Sequence, residues 1–335
     1  MRDFSYFRAG SLDDARRAAA LPSAMLLAGG TTLLDLAKCG VTEPESVVDI
    51  THLKGLGDIR VDAQGAFIGA LARMSQIAED AGIMTHFPAV SEALWQAASP
   101  QIRNMATSGG NLMQRTRCAY FRDPATFPAC NKRAPGSGCS AIGGVNRNHA
   151  ILGTSQSCIA TNPGDLAAAL VAFDAMVHLG ERSVAVDDFF LLPGDTPDRE
   201  HAIEPGEIIT AITIPASPAA RRSTYLKVRD RQSYEFAAAS AAVGIELEPD
   251  GRTIRDLRVA LGGVATKPWR ARAVEDALRG KTLEPETVQR ASLLAVEGAL
   301  SSRVDQGVGR DGNHYKIELA PRVVARAILK VGGVA

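Results

Sequence analysis

The sequence has no excess of charge of either sign: Lys and Arg together number 37, and so do Asp and Glu. A balanced chain has no global field to draw it to nucleic acid or an anionic membrane, so neither is expected as a partner. Long apolar runs are also missing. The most apolar stretches, such as LAAALVAF at 166–173, stop well short of the roughly 18–20 residues that cross a bilayer. The start, MRDFSYFRAGSLDDARRAAAL, scatters charges where a secretory signal needs a continuous apolar segment. The chain therefore reads as soluble, with no export signal of its own. It has no internal repeat, and no acid–base pair or nucleophile stands out. His52, His86, His149 and His178 share no ligand spacing, so no chemistry is assigned to them. The five cysteines include no C-x2–4-C pair, the tight turn by which zinc sites usually present two thiolates, and zinc is disfavoured.

What is present is enough for a large core: 335 residues, 46% of them hydrophobic, suit two or three cooperating units. The N-terminus reads as a strand, a helix begun at Ser11, and then the apolar run AMLLAGGTTLL, in which a Gly–Gly turn separates a strand from a second helix. VVDI at 47–50 reads as a buried strand, and 59–70 as a hairpin turning near Gly65. Residues 71–98 carry helical patterns broken at Pro88. SVAVDDFF and EIITAITIP alternate like strands, PASPAARR reads as a linker, and TYLKVRDRQ, AAASAAVGIELE and TIRDLRVALGGVA read as an antiparallel sheet. Helices over 270–301 and 317–331 complete an α+β protein.

Two turns have the chemistry of a phosphate site. In Ala28-Gly29-Gly30-Thr31-Thr32 the glycines let backbone approach a ligand, and successive N–H groups at a helix start suit a pyrophosphate. Thr107-Ser108-Gly109-Gly110-Asn111 repeats the arrangement, so the pair could grip both ends of a dinucleotide. Gly307-Val308-Gly309-Arg310-Asp311-Gly312 formally fits a dinucleotide fingerprint, but no strand precedes it, and it reads as a loop.

Four cysteines, Cys118, Cys130, Cys139 and Cys158, fall in a segment with no regular pattern, in the spacing C-x11-C-x8-C-x18-C. A structureless stretch of about 40 residues inside a domain is unusual unless something other than peptide organises it. Four thiolates arriving from different parts of a loop suit a 4Fe-4S or 2Fe-2S cluster; the plainer alternative is four small buried side chains. Cys39 follows a helical apolar pattern and reads as a core thiol. The strand Lys227-Val228-Arg229 could be a solvated sheet edge.

LLAGGTTLL, TSGGNL, NPGDLAAAL, GEIITAITIP and LKVRDRQSYEFAAASAAV occur in the order found in FAD-binding subunits of the xanthine oxidase family of molybdenum hydroxylases, which the whole chain resembles. The resemblance implies a vanillyl-alcohol-oxidase-type FAD-binding domain over 1–216, with subdomains of about 1–55 and 56–216. A carbon monoxide dehydrogenase flavoprotein-like C-terminal domain would follow over 221–332. The insertion over about 115–158 resembles that of heterotrimeric bacterial aldehyde oxidoreductases, in which the matching cysteines ligate a 4Fe-4S cluster. By position it implies that Leu26, Leu27, Ala28, Gly29, Gly30, Thr31, Thr32 and Leu33 wrap the FAD pyrophosphate. Thr107, Gly110, Asn111, Asp165, Ile209 and Lys227 would be further cofactor contacts, with a slip from Ile209 to Ile208 possible.

The implied partners are a large molybdenum-cofactor subunit, a small 2Fe-2S subunit and an external electron acceptor. The compartment is either the cytoplasm or the periplasm, reached by export on a signal-bearing partner. Three other readings stay open: the flavin subunit of a hydroxybenzoyl-CoA reductase-like enzyme, a free-standing flavoprotein oxidase, and a zinc-stapled binding module.

Overall fold

A computed structural model describes residues 1–301 and 312–334. The Gly307–Asp311 part of the rejected fingerprint lies outside the described residues.

The chain begins with strand β1 (Ser5–Arg8), helix α1 (Leu12–Ala19), β2 (Ala24–Leu27), α2 (Leu33–Lys38) and β3 (Ser46–Asp49). Ser11 starts α1 because its hydroxyl accepts from the amide of Asp14, and the acidic Asp13 and Asp14 sit in the first turn, where exposed amides favour negative charge. The three strands form a parallel sheet in the order β1-β3-β2. Val47 and Val48 of the central strand are fully buried, so β3 is the one covered on both sides.

A second sheet, antiparallel and ordered β4-β5-β8-β6-β7, is built from β4 (Ile59–Val61), β5 (Gly65–Gly69), β6 (Met176–Leu179), β7 (Arg182–Ala185) and β8 (Ala211–Pro215). The β4–β5 turn is closed by Asp62, whose carboxylate accepts from the amides of Gln64 and Gly65. Gly65 is required there: its φ is +144° and a Cβ would lie 2.0 Å from the carbonyl oxygen of Ile214. Between β5 and β6 the chain forms α3 (Met74–Glu79), α4 (Ala81–His86), α5 (Pro88–Trp95), α6 (Pro100–Arg103), α7 (Ser108–Leu112), α8 (Ala119–Arg122) and α9 (Asp165–Ala172). Pro88 opens α5, the helix position at which a missing N–H costs nothing. Every residue of α9 is buried. Its run of alanines lets it lie between α5 and the C-terminal sheet.

Two expectations are corrected here. VDDF is not strand but α10 (Val186–Phe189), and the linker contains α11 (Pro218–Arg221), capped by Ser217. The Asp187 side chain and carbonyl both accept from Lys267, a tertiary contact that overrides the local alternation.

The C-terminal sheet is antiparallel in the order β12-β11-β10-β9: β9 (Ser223–Val228), β10 (Ala239–Leu247), β11 (Ile254–Gly262) and β12 (Trp269–Arg270). Helices α12 (Arg272–Leu278), α13 (Pro285–Ser292) and α14 (Tyr315–Gly332) cover one face with a continuous apolar core. Arg270 ties this sheet to the preceding domain. Its Nη1 donates to the carbonyl of Val171 and to Asp174 just after α9, while Nε and Nη2 pair with the buried Glu275. No described helix is long and apolar enough to cross a membrane.

Replacing Arg270 with Met leaves the Glu275 carboxylate buried without its cation, so Arg270→Met should lower stability by about 3–5 kcal/mol. Urea denaturation followed by far-UV circular dichroism measures this; a loss below 1 kcal/mol would refute the staple.

Candidate cofactor cleft and cysteine site

The two Gly–Gly turns face each other through backbone. A Cβ on Gly29 would lie 2.1 Å from the carbonyl oxygen of Met105 and 3.0 Å from Cα of Ala106, so only glycine lets the first turn rest on the chain leading into the second. Gly30 has φ +70°, turning the chain sharply after β2. The second turn is held from behind: Ser108 N donates to Ala72 O, Gly109 N to Ala70 O, and Ser108 Oγ to Gly69 O. The Thr107 hydroxyl accepts from Gly110 N. The helix after the first turn has only six residues, and the second turn is itself the opening of a five-residue helix capped by Thr107, so neither presents a long helix dipole.

Between the turns runs a cavity of about 500 Å³, within the range of small-molecule sites. It is lined by Leu26, Ala28, Gly29, Gly30, Thr31, Thr32 and Leu33 from the first turn, Thr107 and Gly110 from the second, and Ile208 and Ile209 opposite. Leu27 does not line it; its side chain lies beneath Gly30. A second cavity of about 230 Å³ shares Thr31, Thr32 and Gly110 as a wall and adds Asn111, Asp165, Arg117 and the Arg231–Phe236 loop. Tyr234 in that loop has φ +54°, an uncommon value for a bulky residue.

Lys227 lines neither cavity but supports the second. β9 is the sheet edge that the sequence suggested, yet the Lys227 side chain is wholly buried and not solvated. Its Nζ donates to Asp165 Oδ2 at 2.8 Å and to Gln96 O at 3.0 Å. The Tyr225 hydroxyl lies 2.6 Å from Asp165 Oδ1 and 2.8 Å from Ser240 Oγ; its one proton goes to the carboxylate. Burial pushes the Asp165 carboxyl up, and Lys227 and Tyr225 oppose that without cancelling it. Burial and the neighbouring carboxylate together push the Tyr225 phenol well above its ordinary value. Tyr225, Gln96, Ser240 and Arg117 were not anticipated: Gln96 and Ser240 reach the site from other segments, and nothing local marks Tyr225 or Arg117 as facing it.

The insertion brings its four cysteines together. Cys130 and Cys139 face each other across an isolated antiparallel bridge, Cys118 precedes α8, and all four thiols are free and surround one small cavity. Cys118, Cys130 and Cys158 are buried with Leu36, Phe121, Ala141, Ile159 and Ala160. Burial pushes the Cys118 thiol up to about 12, and it leaves Cys158 raised as well, because the charge of Lys132 offsets burial only in part. Among the described residues, no three His, Cys, Asp or Glu side chains close to the spacing that one metal ion needs. His149, to which the sequence assigned no chemistry, places Nε2 3.1 Å from Cys118 Sγ. Cys39 lies outside this group, half-buried at the C-terminal cap of α2 and not in the core.

Side chains, not a ladder, shape this loop. The Arg133 guanidinium donates to the carbonyls of Tyr120, Phe121, Phe127 and Pro128. The Asn131 side chain donates to Ser157 O and accepts from Gly138 N. Glu200 anchors the loop to the body through Lys132 at 2.6 Å and Arg115 at 3.1 Å. Asp35 of α2 pairs with Arg117 and Arg122 on either side of Cys118.

Residues 2–217 match the family described as FAD binding domain in molybdopterin dehydrogenase. Residues 224–331 match the CO dehydrogenase flavoprotein C-terminal domain. The chain is 46% identical over 282 residues to the aldehyde oxidoreductase FAD-binding subunit PaoB of Escherichia coli (strain K12), covering 82% of this chain and 86% of that one. It is 29% identical to the glyceraldehyde dehydrogenase medium chain of Sulfolobus acidocaldarius, over 98% of both. A solved structure of reconstituted CO dehydrogenase from Oligotropha carboxidovorans superposes with a TM-score of 0.74 at 25% identity, covering 100% of this chain and 99% of that one.

Gly29→Ala must push the second turn away from the first. It should cost about 1–3 kcal/mol and empty the cleft, read as a fall in the flavin-to-protein absorbance ratio of the purified chain. Glu200 yields a pH test. Burial pushes its carboxyl up, but Lys132 and Arg115 outweigh burial and hold it below the ordinary glutamate range. A depressed folded-state pKa adds stability above the unfolded value and loses it as pH falls through the folded one. Glu200→Gln should therefore be less stable than the parent by about 2 kcal/mol at pH 7, with the gap closing as the pH falls below about 4.5. A gap that stays constant with pH would refute the assignment.

Proposed function

The chain belongs to the FAD-binding subunits of the xanthine oxidase family of molybdenum hydroxylases, and from that premise we propose that it is the FAD- and 4Fe-4S-carrying electron-transfer subunit of an aldehyde oxidoreductase. The observation that carries the finer part is the convergence of four free thiols on one cavity in an insertion whose Arg117 lines the cleft. Similarity to a subunit named for aldehyde oxidoreductase supports the substrate class.

The cleft suits FAD. The amides of Ser108, Gly109 and Gly110 are already engaged by Ala72, Ala70 and Thr107, so the backbone of the first turn, Gly29 to Thr32, is what would receive a pyrophosphate. The rest of the lining mixes apolar residues with Thr107, Arg115, Glu204 and Glu207. When bound, FAD supplies the redox chemistry that links a paired electron donor to an outside acceptor. The protein's part is electrostatic. Lys227, held by Asp165 and shielded from water, keeps a positive charge beside the cavity, where it would offset negative charge on a reduced ring. Asp165 and Tyr225 fix that charge in place. None of these groups is placed as a nucleophile, which fits a subunit on which no substrate is oxidised.

The four cysteines suit a cluster better than a single ion. A tetrahedral ion must draw all its thiolates within about 2.3 Å of one point. A cluster gives each thiolate its own iron, so the sulfurs stand further apart. Lys132 near Cys158 offsets part of the negative charge of such a centre.

We further propose that a large subunit with the molybdenum cofactor oxidises the aldehyde and that a small 2Fe-2S subunit passes electrons to this one. Co-expressed with a molybdenum-cofactor subunit and a 2Fe-2S subunit, the chain should co-purify with both and contain flavin and iron. Cys130→Ser should remove most of the iron and the broad visible absorbance of this subunit while flavin stays bound. Unchanged iron would sink the ligand assignment, and turnover of an aldehyde by this chain alone would sink the division of labour.

A further inference from the structure

We infer that His149 is a positioning residue for the cysteine-bound cluster, donating its Nε2–H to the Sγ of Cys118 and thereby raising the cluster's reduction potential. This rests on the four-cysteine reading above.

The geometry is specific. His149 closes a tight turn in which its amide donates to Asn146 O at 2.9 Å, and the residue is only 6% exposed. The ring packs against Tyr120 at a centroid distance of 6.0 Å, and the Tyr120 hydroxyl donates to Val145 O in the same loop. Nε2 lies 3.1 Å from Cys118 Sγ, while the buried Nδ1 has no hydrogen-bond partner. Among the described residues His149 is the one side chain that hydrogen-bonds to any of the four sulfurs; the other donors are backbone amides, those of Tyr120 and Phe121 to Cys118 and that of Ala160 to Cys158 at 3.4 Å.

The direction of the bond follows from the chemistry of a ligating cysteine. A thiolate on iron has no proton and can only accept. If Nε2 carried a lone pair, two acceptors would face each other at 3.1 Å in a buried site, too close for a water to bridge them. The shared proton therefore sits on Nε2. A donor aimed at a ligand sulfur withdraws negative charge from the centre and stabilises its more negative, reduced form, an effect strengthened by burial.

The test compares the full chain with His149→Leu, which removes the donor, and His149→Gln, whose amide nitrogen can occupy much the same place. Iron and acid-labile sulfide are counted first, and the cluster midpoint is then read by a redox titration followed by electron paramagnetic resonance. His149→Leu should keep its iron and show, at fixed applied potential, a roughly tenfold lower ratio of reduced to oxidised cluster, a midpoint about 59 mV lower for a one-electron couple. His149→Gln should lie close to the parent. If His149→Leu loses the cluster, retention of iron at the parent midpoint by His149→Gln still supports the donor. Iron retained in His149→Leu at the parent midpoint overturns the inference, as does loss of iron from both variants, which would make His149 a ligand. A parent chain without iron would instead overturn the cluster reading itself, and this inference with it.

Discussion

The contact between Gly29 and the backbone of Met105 is the constraint from which the cleft follows. Two turns far apart in sequence meet with no side chain between them, so the first sheet, whose strand β2 ends at Leu27, is registered against the helical layer that carries Thr107. The cavity lies where the turns diverge. Its far wall, Ile208 and Ile209, comes from the segment just before β8, so both sheets contribute to one opening. A shift of either turn would therefore move every wall at once, and rigidity here comes from backbone contact more than from side-chain packing.

The buried charges follow a different logic. Lys227 and Asp165 are both shielded from water, an arrangement that seldom adds net stability. Tyr225, Ser240 and Gln96 complete the hydrogen bonds that make the pair tolerable. The pair holds a fixed ammonium–carboxylate dipole at the edge of the second cavity, which Asp165 lines.

Much of the fold was legible because its signals are local. Glycine pairs, Ser11 before an acidic turn, Pro88 at a helix start and the alternation of β9 to β11 each depend on neighbouring residues. The site was legible only in part, for the complementary reason. The Cys118–His149 contact joins residues 31 apart, Tyr225–Asp165 joins residues 60 apart and Arg115–Glu200 joins residues 85 apart. No periodicity records such pairs. VDDF shows the limit from the other side: it alternates like a strand, yet Asp187 is held in a helical turn by Lys267, 80 residues on.

At the base of the cysteine segment the Thr116 hydroxyl donates to the carbonyl of Thr161, and the Thr161 hydroxyl donates in turn to Asn148 O. A segment whose ends already touch carries little loop-closure cost for its length, since that cost grows only logarithmically. The loop is nonetheless not separable from the body: Ile151 and Leu152, before its last cysteine, are buried in the C-terminal core and their amides both donate to Val264 O, so losing the loop would open that core.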